Sequence, residues 1–351
     1  SFSSLGCGEA TTWWIASFMS GGSQSVVWNG MVSKTLAIKY GVRQGSLLAP
    51  LIFITVTRSL PDALGQLSAM YADDSNAWRH GDQAEAVTSL SSASGELAKK
   101  SSELELVLNL TKTQFLVAGP SALPPVSTVI QLGSSRVGAA KSLEMLGLHL
   151  DHSLSPAPAL ARLKGSLARL TGICIRTGPL LLPNVHLSLM RALINGTVGC
   201  HSAALVRVRL TESCPVQGGT ASQVQVLMND AARAMIGIRR TDKMRVVDLL
   251  DKAGLVSLNR AAFRSSATLA WSSMSSSDHP LHGAMKSFTP DQRTRAAAAG
   301  TLLPVPPRMA AISIIVANMV LVWNHLPELR QAVTRHSAKT VISKAIRAIP
   351  I

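Results

Sequence analysis

The chain has 351 residues, of which 47% are hydrophobic and 15% are charged, so it is long enough for about two domains and apolar enough to fold. Its 34 Lys and Arg against 19 Asp and Glu give a formal net charge of +15, which attracts polyanions such as nucleic acid. An anionic membrane surface is the competing partner, but no Lys-rich amphipathic helix is evident.

The cysteines indicate the cellular compartment, and the first residues indicate whether the chain is part of a longer one. Four cysteines are widely spread and lack the paired spacing of a zinc site, so we interpret them as reduced thiols: Cys7, Cys174, Cys200 and Cys214. Such thiols suit an intracellular compartment. The sequence begins at Ser1 with neither an initiator Met nor a signal-peptide pattern, and we expect it to be part of a longer chain.

The first predicted elements are a helix and a hairpin. Residues 11–20 carry bulky apolar side chains at helical spacing, and Gly21 and Gly22 end this predicted helix. Residues 24–28 then predict a strand, Asn29-Gly30 a hairpin turn, and residues 36–38 part of the returning strand.

A glycine-bounded loop follows, with the sequence Gly41-Val42-Arg43-Gln44-Gly45-Ser46. The glycines supply backbone freedom, and Gly45 also removes side-chain bulk where a base pair could approach closely. Ser46 can cap the helix that follows, in which Pro50 is acceptable only within the first turn. A tight turn before a core helix explains the same residues without any binding role.

Two adjacent carboxylates come next. A short run ends in Met70, Tyr71 and Ala72, then Asp73 and Asp74 precede two turn-forming residues. We interpret this segment as a hairpin that holds both carboxylates at its tip. Such a pair suits Mg²⁺, which prefers oxygen ligands and often carries substrate phosphates. The competing interpretation is a solvated surface turn.

The next stretch predicts a helix and then two strands. Residues 84–97 are Ser-rich but fit a helix, which Leu104 and Leu106 extend, and Lys112 follows in an Asn-x-x-Lys-Thr segment. Lys112 is either a functional cation or a surface lysine at the foot of a strand. Residues 126–132 and 143–150 are predicted to be strands.

From residue 156 the chain is predicted to be helical. The first helix has one apolar face, with residues at three- and four-residue steps: Leu160, Leu163, Leu167, Leu170 and Cys174. Near the end of the chain, the apolar run at 309–323 is too short for a comfortable membrane span and is interrupted by Ser313 and Asn318. We therefore predict a buried helix there.

Three arginines recur at seven-residue intervals on the helix that starts near residue 156. Arg162, Arg169 and Arg176 project from nearly the opposite face to the apolar residues. One interpretation is a solvated basic stripe. The other is a helix that follows a nucleic-acid backbone, because evenly spaced cations suit evenly spaced phosphates.

The order of these motifs resembles the palm of reverse transcriptases, specifically those of non-LTR (LINE-type) retrotransposons. The resemblance rests on the loop containing Gln44-Gly45, the Tyr71-Ala72-Asp73-Asp74 hairpin and the segment at 104–116, which contains the Asn-x-x-Lys-Thr motif with Lys112. It implies an α+β fold, in which residues 1–155 form a partial palm with an antiparallel sheet and packed helices. Residues 156–351 would form a mostly α-helical thumb and C-terminal extension.

The resemblance also implies an activity and a set of site residues. The activity is RNA-directed DNA polymerisation by two-metal nucleotidyl transfer, with Mg²⁺ or Mn²⁺ as cofactor. Asp73 would be the principal metal ligand and Asp74 a supporting one, while Lys112 would lie near the nucleotide phosphates and assist proton transfer to the leaving pyrophosphate. The residues implied to border the nucleotide and template are Gly41, Gln44, Gly45, Ser46 and Tyr71.

The implied partners are an RNA template, a DNA primer and deoxynucleoside triphosphates, with no membrane, in a nuclear or cytoplasmic ribonucleoprotein. The family's other metal-binding Asp is expected upstream of Ser1, so we expect the 351 residues alone not to polymerise. Gly22 also departs from the family, which often has a basic residue there for template contact. The alternative is a non-catalytic nucleic-acid-binding remnant of a degenerate retroelement.

Overall fold

The structure is a computed structural model that describes residues 2–38, 41–43, 45–65, 67–119, 128–200, 202–214, 218–291, 294–306 and 313–351. The chain divides into two compact units, of which the first comprises Ser1–Val117 and Ser121–Lys141 and the second Ala118–Pro120 and Ser142–Ile351. Short antiparallel strand pairs and helices make up the first unit, and helices dominate the second, which confirms the α+β class. The domain boundary at residue 155/156 stays a prediction.

The first unit alternates short hairpins with helices. Its elements are α1 (Glu9–Met19), β1 (Ser23–Gln24), β2 (Val27–Trp28), β3 (Met31–Val32), β4 (Leu36–Ala37), α2 (Ala49–Thr57), α3 (Leu60–Leu64), β5 (Ser68–Tyr71), β6 (Asp74–Ala77), α4 (Gln83–Glu103), β7 (Val129–Leu132) and β8 (Ser135–Gly138). The antiparallel pairs are β1 with β4, β2 with β3, β5 with β6, and β7 with β8.

Two local predictions in this unit are confirmed and one is corrected. The Asn29-Gly30 turn joins β2 to β3, and both residues have positive φ angles, 48° and 79°. The helix predicted at 84–97 is α4, and the Asp82 carboxylate caps it by accepting the N–H of Ala84 at 2.9 Å. However, α4 ends at Glu103 and does not include Leu106, because Glu105 has a φ of 57° that a right-handed helix cannot accommodate.

A small leucine core holds the first unit's hairpin β5–β6. We call the buried side chains of Leu60, Leu64 and Leu97 the leucine core. The partly buried residues that pack against it come from both strands of the hairpin and from the segment after α4: Met70, Ala77, Leu104, Leu106 and Leu108. The same few apolar side chains therefore fix the hairpin and the chain that leads to Lys112.

The second unit begins with a hairpin and continues as helices. Its elements are β9 (Ser142–Met145), β10 (Leu148–Asp151), α5 (Ala157–Thr177), α6 (Pro183–Gly199), α7 (Ser202–Leu205), α8 (Thr220–Ile236), α9 (Val246–Ala253), α10 (Leu258–Ser275), α11 (His282–Lys286), α12 (Arg295–Ala298), α13 (Ile314–His325), α14 (Pro327–Arg330) and α15 (Arg335–Ala345). The single strand predicted at 143–150 is wrong. Leu146 and Gly147, with φ angles of 49° and 82°, reverse the chain, so β9 and β10 pair with each other.

The core of the second unit confirms the predicted apolar face of α5. Leu160, Leu163, Leu167 and Cys174 are buried, and Leu170 is partly buried against them. They belong to one continuous cluster with buried residues of α6, α8, α10 and α13, including Met190, Met228, Phe263 and Met319. The arginines of α5 consequently lie on its outer side.

The helix predicted in the apolar run at 309–323 is confirmed where the structure describes it. It is α13, and the polar interruption at Asn318 is buried. The Asn318 side-chain amide donates to the carbonyls of Ala203 and Val206 at 3.0 and 2.8 Å, and its oxygen accepts the N–H of Val208 at 2.9 Å. None of the described helices is both long and apolar enough to span a membrane.

Replacing Asn318 by Leu should destabilise the protein by about 2–5 kcal/mol, because two carbonyls and one N–H would be left without partners in the core. Urea denaturation measures this loss. The matched control is Asn229→Leu on α8, where the side chain bonds to Gln225 one turn earlier on the same helix; a loss below about 1 kcal/mol is expected there. Equal losses in the two variants would contradict a special role for Asn318.

Candidate active site

The predicted Asp-Asp hairpin is confirmed. Strands β5 and β6 pair from Ser68↔Ala77 to Tyr71↔Asp74, so Ala72 and Asp73 form a two-residue turn and Asp74 opens the returning strand. All four residues of the Tyr71–Asp74 tip are exposed, and the Tyr71 ring is 67% exposed. The two carboxylates are therefore accessible from solvent but stand at different backbone positions, one in the turn and the other in the strand.

The turn carries backbone strain at Ala72. Its φ angle of 53° is in the left-handed region, where the Cβ of an ordinary residue crowds the following carbonyl oxygen. The first position of such a two-residue turn usually carries Gly, Asn or Asp. Ala72 is thus held in a conformation that the neighbouring strand pairing enforces, directly beside Asp73.

The hairpin is fixed to the leucine core from one face. Along β5, Ser68 and Met70 are partly buried, whereas Ala69 and Tyr71 are exposed. Met70 on β5 and Ala77 on β6 contact the core. Because the side chains of a strand alternate between faces, this packing directs Tyr71 away from the core and leaves its ring accessible.

Lys112 follows a compact turn that starts at Asn109. The Asn109 side-chain oxygen accepts the Thr111 hydroxyl at 2.7 Å and the Lys112 N–H at 3.2 Å. Leu108, immediately before this turn, packs against the leucine core. Lys112 itself is exposed, so its ammonium group is available to a ligand.

The glycine-bounded loop is described except for Gln44, which lies outside the described residues. Gly41 and Gly45 have φ angles of 84° and 81°, which explains the need for glycine at both positions. The predicted cap is wrong, because α2 starts at Ala49 with Leu48 as its N-cap. The Ser46 hydroxyl instead accepts the N–H of Leu48 at 3.2 Å within the loop.

Arg43 in this loop has a structural partner that the sequence did not reveal. Its guanidinium lies over the Phe18 ring, 5.0 Å from the centroid, and donates to the carbonyl of Ser20 at 3.4 Å. A Cβ placed on Gly22 would lie 3.4 Å from the Arg43 Nη2 atom. The guanidinium therefore occupies the space beside Gly22, the position that has no side chain of its own.

The carboxylate oxygens of the hairpin fit a hard cation but supply only part of its coordination shell. Asp73 and Asp74 provide carboxylate oxygens, the ligands that Mg²⁺ prefers. Among the described residues, no group of three or more His, Cys, Asp or Glu side chains is arranged to hold a metal ion. The remaining ligands of a bound ion would thus have to come from other groups.

The three arginines of α5 are not equivalent. Arg162 Nη2 lies 3.2 Å from the Glu144 carboxylate on β9, and that carboxylate is also 3.5 Å from His149 Nε2. Arg169 donates to the Ser166 hydroxyl at 3.2 Å and, like Arg176, has no ion-pair partner among the described residues. Sequence reasoning missed Glu144, because no local spacing connects a strand residue to the outer face of the helix that follows.

The comparison with protein families agrees with this geometry. Residues 2–150 match the family model described as "Reverse transcriptase (RNA-dependent DNA polymerase)". The matched segment contains the glycine-bounded loop, the Asp73-Asp74 hairpin and Lys112. This part of the chain is therefore similar in sequence to reverse transcriptase domains. No curated protein and no solved structure matches the chain.

The strain at Ala72 predicts a position-specific response to a larger side chain. Ala72→Val should destabilise the protein by about 1–2 kcal/mol, because a branched side chain fits poorly at positive φ. Ala69→Val makes the same change on the exposed face of β5 and should be nearly neutral, because Val favours strands. Thermal unfolding of the two variants and of Ala72→Gly measures the difference; an equal response to Val at both positions would show that Ala72 is not strained.

Proposed function

We propose that the chain is part of the RNA-directed DNA polymerase of a non-LTR (LINE-type) retrotransposon. The observation that carries this proposal is the exposed Asp73-Asp74 pair at the tip of a hairpin, within a segment that matches reverse transcriptases. The substrates would be deoxynucleoside triphosphates, a DNA primer and an RNA template. The net charge of +15 supports binding of such polyanions.

In this proposal the two carboxylates have different roles. Asp73, in the turn, is the principal metal ligand, and Asp74, opposite Tyr71 at the start of β6, is a supporting one. When bound, Mg²⁺ or Mn²⁺ lowers the energetic cost of charge on the attacking and leaving oxygens. The leucine core and the strand pairing hold the backbone of the hairpin that carries the carboxylates, which reduces the ordering cost of binding.

The remaining site residues would act on the substrates. The exposed Lys112 ammonium would neutralise the nucleotide phosphates and hold the proton that passes to the leaving pyrophosphate. Gly41, Gly45 and Ser46 would let the nucleotide and template approach the backbone of the loop, and the Tyr71 ring would pack beside them. The role of Gln44 rests on the resemblance alone.

The proposal extends to the rest of the chain. Residues 1–155 would be the latter part of a polymerase palm and residues 156–351 a helical thumb and C-terminal extension. Arg169 and Arg176 on the outer face of α5 would contact the phosphates of the bound duplex, with Arg162 shared between phosphate and Glu144. The active complex would be a ribonucleoprotein in the nucleus or cytoplasm.

Primer extension tests the catalytic proposal. Asp73→Asn should lower the single-turnover rate on the order of a thousandfold, because it removes charge stabilisation worth several kcal/mol in the transition state. Asp74→Asn should cost less, and neither change should alter duplex binding. The rates are measured in the 351-residue chain and in the same chain joined to an Asp-bearing palm strand of a reverse transcriptase, because the described residues hold no group of three metal-binding side chains.

Each outcome of this experiment assigns a role. A larger loss with Asp74→Asn would reverse the two carboxylate roles. Extension that survives both changes would place the active site elsewhere. Extension by neither protein, with duplex binding retained, would support the alternative of a non-catalytic nucleic-acid-binding remnant.

The salt dependence of duplex binding tests the arginines of α5. Replacing Arg169 and Arg176 together by Ala should flatten the slope of log affinity against log salt by about two units, roughly one for each lost phosphate contact. Arg162→Ala should change the slope by less, because Glu144 already neutralises that cation. The control is Glu144→Gln, which should steepen the slope by freeing Arg162. An unchanged slope in every variant would assign the stripe to an ordinary solvated face.

A further inference from the structure

Arg79 connects three parts of the first unit at the base of the Asp-Asp hairpin. It comes two residues after the end of β6. Its Nη2 donates to the carbonyl of Leu64 at 2.7 Å, its Nη1 to the carbonyl of Trp78 at 2.8 Å, and its Nε to the Ser89 hydroxyl at 3.0 Å. The guanidinium thus joins the end of α3, the end of the hairpin and the side of α4.

The end of α3 fits against the planar guanidinium of Arg79. Leu64 is the last residue of α3, where the carbonyls have no further helical N–H to accept. The following residue, Gly65, has a φ angle of 81°, which favours glycine, and a Cβ there would lie in van der Waals contact with Arg79 Nη2, at 3.5 Å. Arg presents its donors in a rigid fork, and a Lys at this position could not make the same set of bonds.

The position of these bonds matters because a two-stranded hairpin is marginally stable by itself. The leucine core holds the hairpin β5–β6 from one face through Met70 and Ala77. Arg79 fixes the chain immediately beyond β6, and Trp78 N–H closes the base by donating to Leu67 at 3.0 Å. Together they determine the angle at which the tip projects.

We propose that Arg79 is a positioning residue for the Asp73-Asp74 pair. It holds the hairpin in the orientation in which the two carboxylates can bind one cation together, and it does not touch the cation. Its connection to metal binding rests on the proposed function, whereas its effect on the order of the hairpin does not.

The direction in which metal affinity changes when Arg79 is replaced distinguishes positioning from simple electrostatics. A guanidinium repels a divalent cation, so removing its charge by itself should strengthen metal binding. Loss of positioning should weaken metal binding, because the carboxylates would no longer be held together. Changes to residues that orient metal ligands typically cost about 10–100-fold in affinity.

The test is done on the full 351-residue chain and has two measurements. Electron paramagnetic resonance monitors a Mn²⁺ titration and gives the Mn²⁺ affinity. Amide hydrogen exchange of residues 70–76 reports the order of the hairpin. Arg79→Lys and Arg79→Met should each weaken Mn²⁺ binding by about tenfold and speed exchange in the hairpin. Ser89→Ala, which removes only the bond to α4, should give a smaller change in the same direction. Arg136→Met is the charge control, because Arg136 is exposed on β8 in the same unit.

Asp73→Asn serves as the reference for the metal site and should abolish Mn²⁺ binding there. If it leaves Mn²⁺ binding unchanged, the proposed metal site is wrong, and the exchange rates decide whether Arg79 orders the hairpin. If both Arg79 variants keep wild-type exchange, or bind Mn²⁺ more tightly as Arg136→Met is expected to do, the positioning role is overturned. Should Arg79→Met lose its helical circular dichroism, the graded response of Arg79→Lys and Ser89→Ala decides the question.

Discussion

The leucine core under the β5–β6 hairpin is the constraint on which the candidate site depends. In the proposed function the carboxylate pair receives a large polyanionic substrate and so has to be exposed, and an exposed tip cannot be stabilised by its own burial. The strain at Ala72 must be offset nearby, because the exposed Asp73 and Asp74 contribute no buried contacts of their own. Leu60, Leu64 and Leu97 provide this support, and because the segment before Lys112 packs on the same side chains, one small core organises both cationic and anionic groups.

Those parts of the fold with strong local signals could be predicted from the sequence. The Asn29-Gly30 turn, the Asp-Asp hairpin and the apolar face of α5 each depend on residues that are close in the chain. The turn at Leu146-Gly147 could not be predicted in the same way, because Leu gives no indication of a positive φ angle. The Ser46 cap was wrong for a related reason: its hydroxyl satisfies a loop N–H before the helix begins.

The sequence predicted which chemical groups the candidate site contains. It did not predict the long-range contacts that hold the surrounding residues. The positions of the carboxylates follow from a four-residue motif, but the contacts that orient and neutralise charged groups join distant residues. Arg79 reaches back to Leu64, Arg43 to Phe18, and Arg162 to Glu144. Such pairs depend on how the elements pack, so spacing along the chain carries no signal for them.

These contacts also change the meaning of the net charge. Several arginines donate to backbone carbonyls inside their own unit, including Arg191 to Ala253 at 2.7 Å and Arg260 to Ile349 at 2.9 Å, while Asp230 pairs with both Arg233 and Arg240. A guanidinium that bonds to a carbonyl keeps its charge but is no longer free to move toward a phosphate. The formal charge of +15 therefore describes long-range attraction, whereas the close phosphate contacts of the proposed function would depend on exposed cations such as Lys112, Arg169 and Arg176.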